Sequence, residues 1–321
     1  MRLLRLFGTT SLACAVGLAL VLGTIGATGS TFARRPSPGS AAGGPIRVAM
    51  RDVVLYPYRD APSHVLALSG TVAPTRAGGT VVLDDIGSYG IMIRHAEVAL
   101  SAATMTVLMN RYILPASNGP IKHVEVSFGA GTIGMSGIIQ KGKVRARFKA
   151  SAVASPTADG DMRIRIVKMT AGGFVPKGLM DALGLKMDKV AQPRNKQIFH
   201  VVGDDMIVPV VSMFPPPKVS GKLRSVRVTP RAMTAVIGSA GAPALPALGA
   251  SYIHYRGGVL KFAKLTMRDV DLTVVPKTSA PLGFSPANYY RQMEAGFAVP
   301  QPDRGLVAHV PNYSALVPAP K

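Results

Sequence analysis

The stretch KVRARFKASAV at positions 143–153, followed by PTADG at 156–160 and DMRIRIVKM at 161–169, decides the fold class. Lys143, Arg145, Arg147 and Lys149 occupy every second position, with Val144, Ala146, Phe148 and Ala150 between them. A period of two is that of an extended strand, whose successive side chains point to opposite faces of a sheet. The returning run sets Arg163 and Arg165 against Met162, Ile164 and Ile166. The Asp159-Gly160 pair between the runs is a strong hairpin signal. The stretch therefore predicts an antiparallel hairpin with one apolar face and one face carrying six cations. Like charges on neighbouring strands are mildly destabilising, so an external anion would relieve them. The plainer reading is a solvated outer face whose charges also discourage edge pairing.

The same alternation, punctuated by Gly, Pro, Asn and Asp, predicts further strands at 48–56, 64–72, 90–99, 121–128, 133–139, 197–202, 222–228 and 259–275. Gly129-Ala130-Gly131 reads as a hairpin turn. Two segments switch period. After Ser101, a suitable N-cap, Met105, Leu108, Met109 and Tyr112 recur at helical spacing, predicting a helix over 102–113 that stops before Pro115. A second helix is expected over 177–187, with Leu179, Met180, Leu183 and Met187 on one side and Lys177, Asp181 and Lys186 on the other. Ser285-Pro286 and Gly296 bracket a short third helix. The fold class is α+β, mostly β and antiparallel.

At the start, Arg2 and Arg5 precede an uncharged run from Leu6 to Ala33 whose apolar heart is Leu12–Ile25. Residues 1–33 read as an export leader, cut after Ala27, Gly29 or Ala33, or as an uncleaved membrane anchor; the sequence leaves both open. Either way the expected location is the periplasm or cell envelope. Residues 34–47, rich in Pro, Gly, Ser and Ala, read as a flexible linker. A β-rich domain is expected over 48–275, and a Pro-rich tail with the short helix over 276–321.

Composition narrows the function classes. The 321 residues carry 37 Lys+Arg against 16 Asp+Glu, a balance of +21, yet 48% are hydrophobic. That is enough apolar material for a core, which excludes a disordered polycation. Cys14 is the sole cysteine, so there is no disulfide framework and no multi-cysteine metal site. Aromatic residues make up 6% and Trp is absent, which argues against stacking platforms for bases. No specific nucleic-acid partner is expected.

The search for chemistry is empty. The histidines at 64, 95, 123, 200, 254 and 309 include no i, i+4 pair, and His95-Ala96-Glu97 lacks the cysteines of a zinc deaminase. The doublets Asp84-Asp85, with Gly87 two residues on, and Asp204-Asp205, preceded by Gly203, read as turns. There is no nucleotide-binding glycine loop and no G-x-S-x-G elbow. No catalytic residue, metal ligand or cofactor is expected.

The run from Ile91 through Ser101, the helix MTVLMNRYIL at 105–114, the strand KHVEVSFGAG at 122–131, the hairpin, and then GGFVPKGLMDALGLKM at 172–187 resemble, in order and pattern, the LmeA-like family of bacterial phospholipid-binding proteins. VSGKLRSVRVTP at 219–230 is similar to the strand closing that family's domain. The resemblance covers roughly 90–237. It implies a TULIP-like (tubular lipid-binding) fold, a long twisted antiparallel sheet wrapped around two amphipathic helices, and a non-enzymatic protein with an apolar groove for acyl chains. The groove lining is then expected from Met105, Leu108, Met109, Leu179, Met180, Leu183 and Met187. The flexible methionines suit an adaptable lipid site as well as an ordinary core. Contact with an anionic membrane surface is expected from Lys143, Arg145, Arg147, Lys149, Arg163 and Arg165. The partners implied are a phospholipid or other amphiphile and that surface; a protein partner is not specified. Two other classes stay open: a scaffolding envelope protein with a closed core, and a secreted hydrolase whose active-site residues are distant in sequence.

Overall fold

Among the described residues, period-two patterning becomes three β-sheets. The computed structural model describes residues 44–114, 121–141, 144–172, 200–202, 205–210, 217–239, 241, 243–262, 265–278, 281–302 and 305–317. They lie within one unit, Gly39–Lys321. The largest sheet contains β1 (Ile46–Tyr58), β2 (Ala61–Pro74), β4 (Tyr89–Leu100), β11 (Lys218–Ser220), β12 (Leu223–Val228), β13 (Met233–Gly238), β14 (Tyr252–Arg256), β17 (Asp271–Pro276), β18 (Leu282–Phe284), β19 (Phe297–Gln301) and β20 (Gly305–Val310). Its order is β12-β13-β4-β2-β1-β14-β17-β20-β19, with β11 beside β4 and β18 beside β1. The second sheet comprises β5 (Ile121–Phe128), β6 (Ile133–Lys141), β7 (Val144–Pro156), β8 (Met162–Ala171), β9 (His200–Val202) and β10 (Asp205–Val208), ordered β5-β6-β7-β8-β10-β9. A small third sheet joins β3 (Val81–Val82), β15 (Val259–Phe262) and β16 (Leu265–Arg268). Most pairings are antiparallel, and the described residues are mostly β with few helices.

The decisive hairpin is β7–β8. Thr157 N donates to Asp161 O at 2.8 Å, Asp161 N to Thr157 Oγ1 at 3.0 Å, and Gly160 takes φ +90°. Only glycine reaches that backbone without strain. A Cβ there would also strike the Lys222 side chain, because the Gly160 carbonyl accepts from Leu223 N. The β5–β6 turn at Gly129-Ala130-Gly131 docks likewise, Gly131 N donating to Val228 O. The tips of both hairpins thus fasten to the two ends of β12, which sets the second sheet against the β12-β13-β4-β2 end of the first.

Helix α1 (Ala102–Val107, continuing as a π-helix over Leu108–Ile113) starts where the cap was expected, Thr104 N donating to Ser101 Oγ at 3.0 Å. It stitches the two sheets together. Thr104 Oγ1 donates to the Pro62 carbonyl of β2. On the other side Thr106 and Asn110 supply side-chain partners to the Val124 and Val126 backbone of β5, the edge of the second sheet.

Several expectations change. The linker gives way to β1 at Ile46, which is fully buried and pairs with Val72. The run 259–275 forms three strands, because Asp269 takes a left-handed turn (φ +50°) and β15–β16 folds into the small sheet. The segment after 275 carries the short helix where its sequence placed it, as Pro286–Asn288 and then α2 (Tyr289–Glu294), and is more than a tail. β18 pairs with β1 and β20 with β17, while Gln292 is fully buried and bonded to Ser285 N, Gly283 O and Pro311 O. The expected leader, most of the linker, Lys143 and the second helix with Leu179, Met180, Leu183 and Met187 lie outside the described residues. Among the described residues no helix is long and apolar enough to cross a membrane.

Candidate functional site

Where the two sheets face each other across α1, their side chains do not close the space. A cavity of about 100 Å³ remains. One wall is a single face of the large sheet: Ala61 and Ser63 of β2, Val98 and Leu100 of β4, and Met233, Ala235 and Ile237 of β13. The register explains this set, since Val98 stands opposite both Val65 and Ala235, and Met233 opposite Leu100, so period two puts them on one side. The facing wall is Met162 and Ile164 of β8, Met206 and Val208 of β10, and Val210. Helix α1 contributes Met105, Leu108, Met109 and Ile113. The helical stripe read from sequence therefore meets strands from 60 to 240 in the chain around one space.

A water needs about 10–15 Å³ of such volume, and a methylene takes about as much room as a water. The cavity thus holds about seven to ten such groups, one hydrocarbon segment rather than two chains. Among the described residues no lysine, arginine or histidine lines it, and Ser63 and Tyr58 supply the only hydroxyls. Five methionines, at 105, 109, 162, 206 and 233, make the lining deformable.

At one end, Tyr58 stacks on Tyr112 with ring centroids 3.9 Å apart. Tyr112 donates to Asp60 Oδ1 at 2.8 Å, and the Arg111 guanidinium pairs with the same carboxylate. Burial, and then the hydrogen bond to Asp60, push the Tyr112 phenol up to about 12. This cluster fastens the last turn of α1 to the β1–β2 turn, beside Pro57, Tyr58 and Ala61 of the lining.

On the outer face of the second sheet, Arg145, Arg147 and Lys149 are exposed while Phe148 and Ala150 are buried. Three features differ from the sequence reading. First, β7 and β8 are interior strands, so these cations guard no edge. Second, the antiparallel register sets Arg163 opposite Ser155 and Arg165 opposite Val153, at the hairpin tip, away from Arg145 and Arg147. Both are near Asp205, which opens β10 where its doublet predicts a turn. Arg165 grips its carboxylate with two bonds of 2.7 and 2.8 Å, and Arg163 Nε lies 3.4 Å away. That bidentate bond, with the charges of both arginines, holds the Asp205 carboxyl below the ordinary carboxylate range. Third, a bulge at Val167 brings Lys168 opposite Ser151 and onto the cationic face, with Val167 itself 55% exposed. Among the described residues no ion pair involves Arg145, Arg147, Lys149 or Lys168.

The residues examined for chemistry are spread through the fold. His64 pairs with Asp52 at 2.6 Å, His254 with Asp271 at 3.0 Å, His95 bonds the Ser239 carbonyl, and His309 stacks on Phe297. Asp84 accepts from the Tyr289 hydroxyl at 2.6 Å and Asp85 closes a turn through Gly87 N. Among the described residues no group of three His, Cys, Asp or Glu side chains converges as a metal site would require. Sequence reasoning missed the walls from β10 and β13 and the polar point at Ser63. The signals were there: Met233, Ala235 and Ile237 alternate, and Ser63 is the lone hydroxyl among the inward residues Ala61, Ser63 and Val65. Comparison with family models, with curated proteins and with solved structures finds no match to this chain.

Proposed function

We propose that this chain is an exported, non-enzymatic binding protein of the cell envelope that holds one hydrocarbon chain of an amphiphile, such as an acyl chain of a phospholipid, between its two sheets. The carrying observation is the apolar cavity that Met105, Leu108 and Met109 share with β8, β10 and β13. Filling it with seven to ten methylene-sized groups gains about 6–8 kcal/mol at ~0.8 kcal/mol each. Association costs offset part of this, so affinity is micromolar or weaker. A ligand held that loosely exchanges, which suits lipid transfer or envelope maintenance. The cations Arg145, Arg147, Lys149 and Lys168 attract an anionic lipid surface at roughly 1 kcal/mol each near the membrane, and Val167 stands among them as an apolar contact. Lys143 is assigned to the same surface by its place in the alternation with Arg145 and Arg147, and Leu179, Met180, Leu183 and Met187 to the lining by the family resemblance. A TULIP-like architecture belongs to this proposal; two sheets with an amphipathic helix stitched between them support it.

The test is extraction of the purified protein with organic solvent, followed by mass spectrometry. An amphiphile present in proportion to protein supports the reading. An extract without lipid, from protein that also ignores added anionic vesicles, overturns it in favour of a scaffold with a closed core.

A further inference from the structure

Ser63 sits on the cavity wall at 5% exposure, and its Oγ has no hydrogen-bond partner among the described residues. A buried hydroxyl left unpaired is costly, and such groups in folded proteins ordinarily have a partner. The neighbouring inward positions, Ala61 and Val65, are apolar, so nothing in the strand pattern calls for a hydroxyl there. An ordered water needs about two to four polar partners, and among the described residues the lining side chains offer only Ser63 and Tyr58.

Resting on the amphiphile reading, we infer that Ser63 is the polar anchor of the cavity and donates to an uncharged acceptor oxygen within the bound chain, as in an acyl ester. The charge of that group follows from the wall. With no cation among the described residues of the lining, a carboxylate would be desolvated without compensation, which is far more costly than burying an ester carbonyl that receives a hydrogen bond. The cavity therefore selects an esterified acyl chain over a free fatty-acid anion. The charged part of such a ligand stays outside, in water or at the membrane.

The experiment compares methyl hexanoate, nonane of equal heavy-atom count, and the heptanoate anion, on the wild-type protein and on Ser63→Ala. Bound ligand is quantified by gas chromatography after equilibration. The expected result is that Ser63→Ala weakens methyl hexanoate about fivefold, the worth of one ordinary hydrogen bond, while nonane binds as well or better. Heptanoate binds more weakly than the ester to the wild type. Ser63→Ala unfolds at the same temperature as the wild type or higher, because it removes an unpaired hydroxyl; that control shows the fold is intact. Equal loss of ester and alkane, or no loss of either, overturns the anchor while leaving the hydrocarbon cavity standing. Failure of all three ligands to bind the wild type overturns the cavity reading and the anchor with it.

Discussion

Replacing Ala235 with leucine asks directly whether the space between the sheets is available to hydrocarbon. Ala235 lies on β13 opposite Val98, on the cavity wall. Leucine adds three carbons, worth at most about 2.4 kcal/mol at ~0.8 kcal/mol per buried group, less ~0.5–1 kcal/mol of side-chain entropy. The variant should gain about 1–2 kcal/mol, a rise of a few degrees in Tm at about 2–4 °C per kcal/mol. The same three carbons occupy room the ligand needs. A chain that loses the equivalent burial binds about 50-fold more weakly. Thermal unfolding by circular dichroism gives the first number, and displacement of a fluorescent acyl probe gives the second. In a closed core the signs reverse, since extra methylenes then cost ~1–3 kcal/mol through overpacking. A variant with lower Tm and undiminished probe binding refutes the reasoning.

Reversing the outer-face charges, as Arg145→Glu with Arg147→Glu, should weaken binding to anionic vesicles by at least tenfold at low salt, leave neutral vesicles unaffected and leave Tm within a few degrees; flotation measures it. Arg165→Glu should affect vesicles less, because Arg165 is already engaged with Asp205. The lowered Asp205 carboxyl contributes stability that is present above the ordinary carboxylate range and lost as pH falls through its folded value. Asp205→Asn should therefore speed amide exchange in β10 at pH 7 and change little near pH 2. Ser101→Ala removes the cap of α1 and should cost ~1 kcal/mol, read as a lower urea midpoint together with weaker probe binding, since α1 forms part of the cavity.

What could be read in advance follows from what each signal depends on. The β7–β8 hairpin and the start of α1 rest on local chemistry, an Asp-Gly turn and a serine cap, and both form where their residues place them. The strand alternation gave the two faces of β7 correctly because period two needs no tertiary information. It failed beyond one residue in β8, where the bulge at Val167 turns Lys168 outward. It also could not anticipate that Asp205, 40 residues beyond Arg165, would engage both arginines of the hairpin tip. The Met105, Leu108 and Met109 stripe marked an apolar helix face, whereas the opposing wall from β10 and β13 depends on which strands the hairpin tips bring across. Residues after 275 looked like a tail because their strands are short and interrupted by proline. Their place is set by pairing with β1 and β17, more than 200 and about 30 residues away.

The most direct test of the hydrocarbon cavity is methyl NMR of protein carrying labelled methionines, titrated with a single-chain acyl ester. The account predicts concerted shifts at Met105, Met109, Met162, Met206 and Met233, which line the cavity from three elements of the second sheet and helix and one of the large sheet, with Met50, Met92 and Met267 unmoved. Shifts confined to the exposed Met92, or none at any concentration, would contradict it.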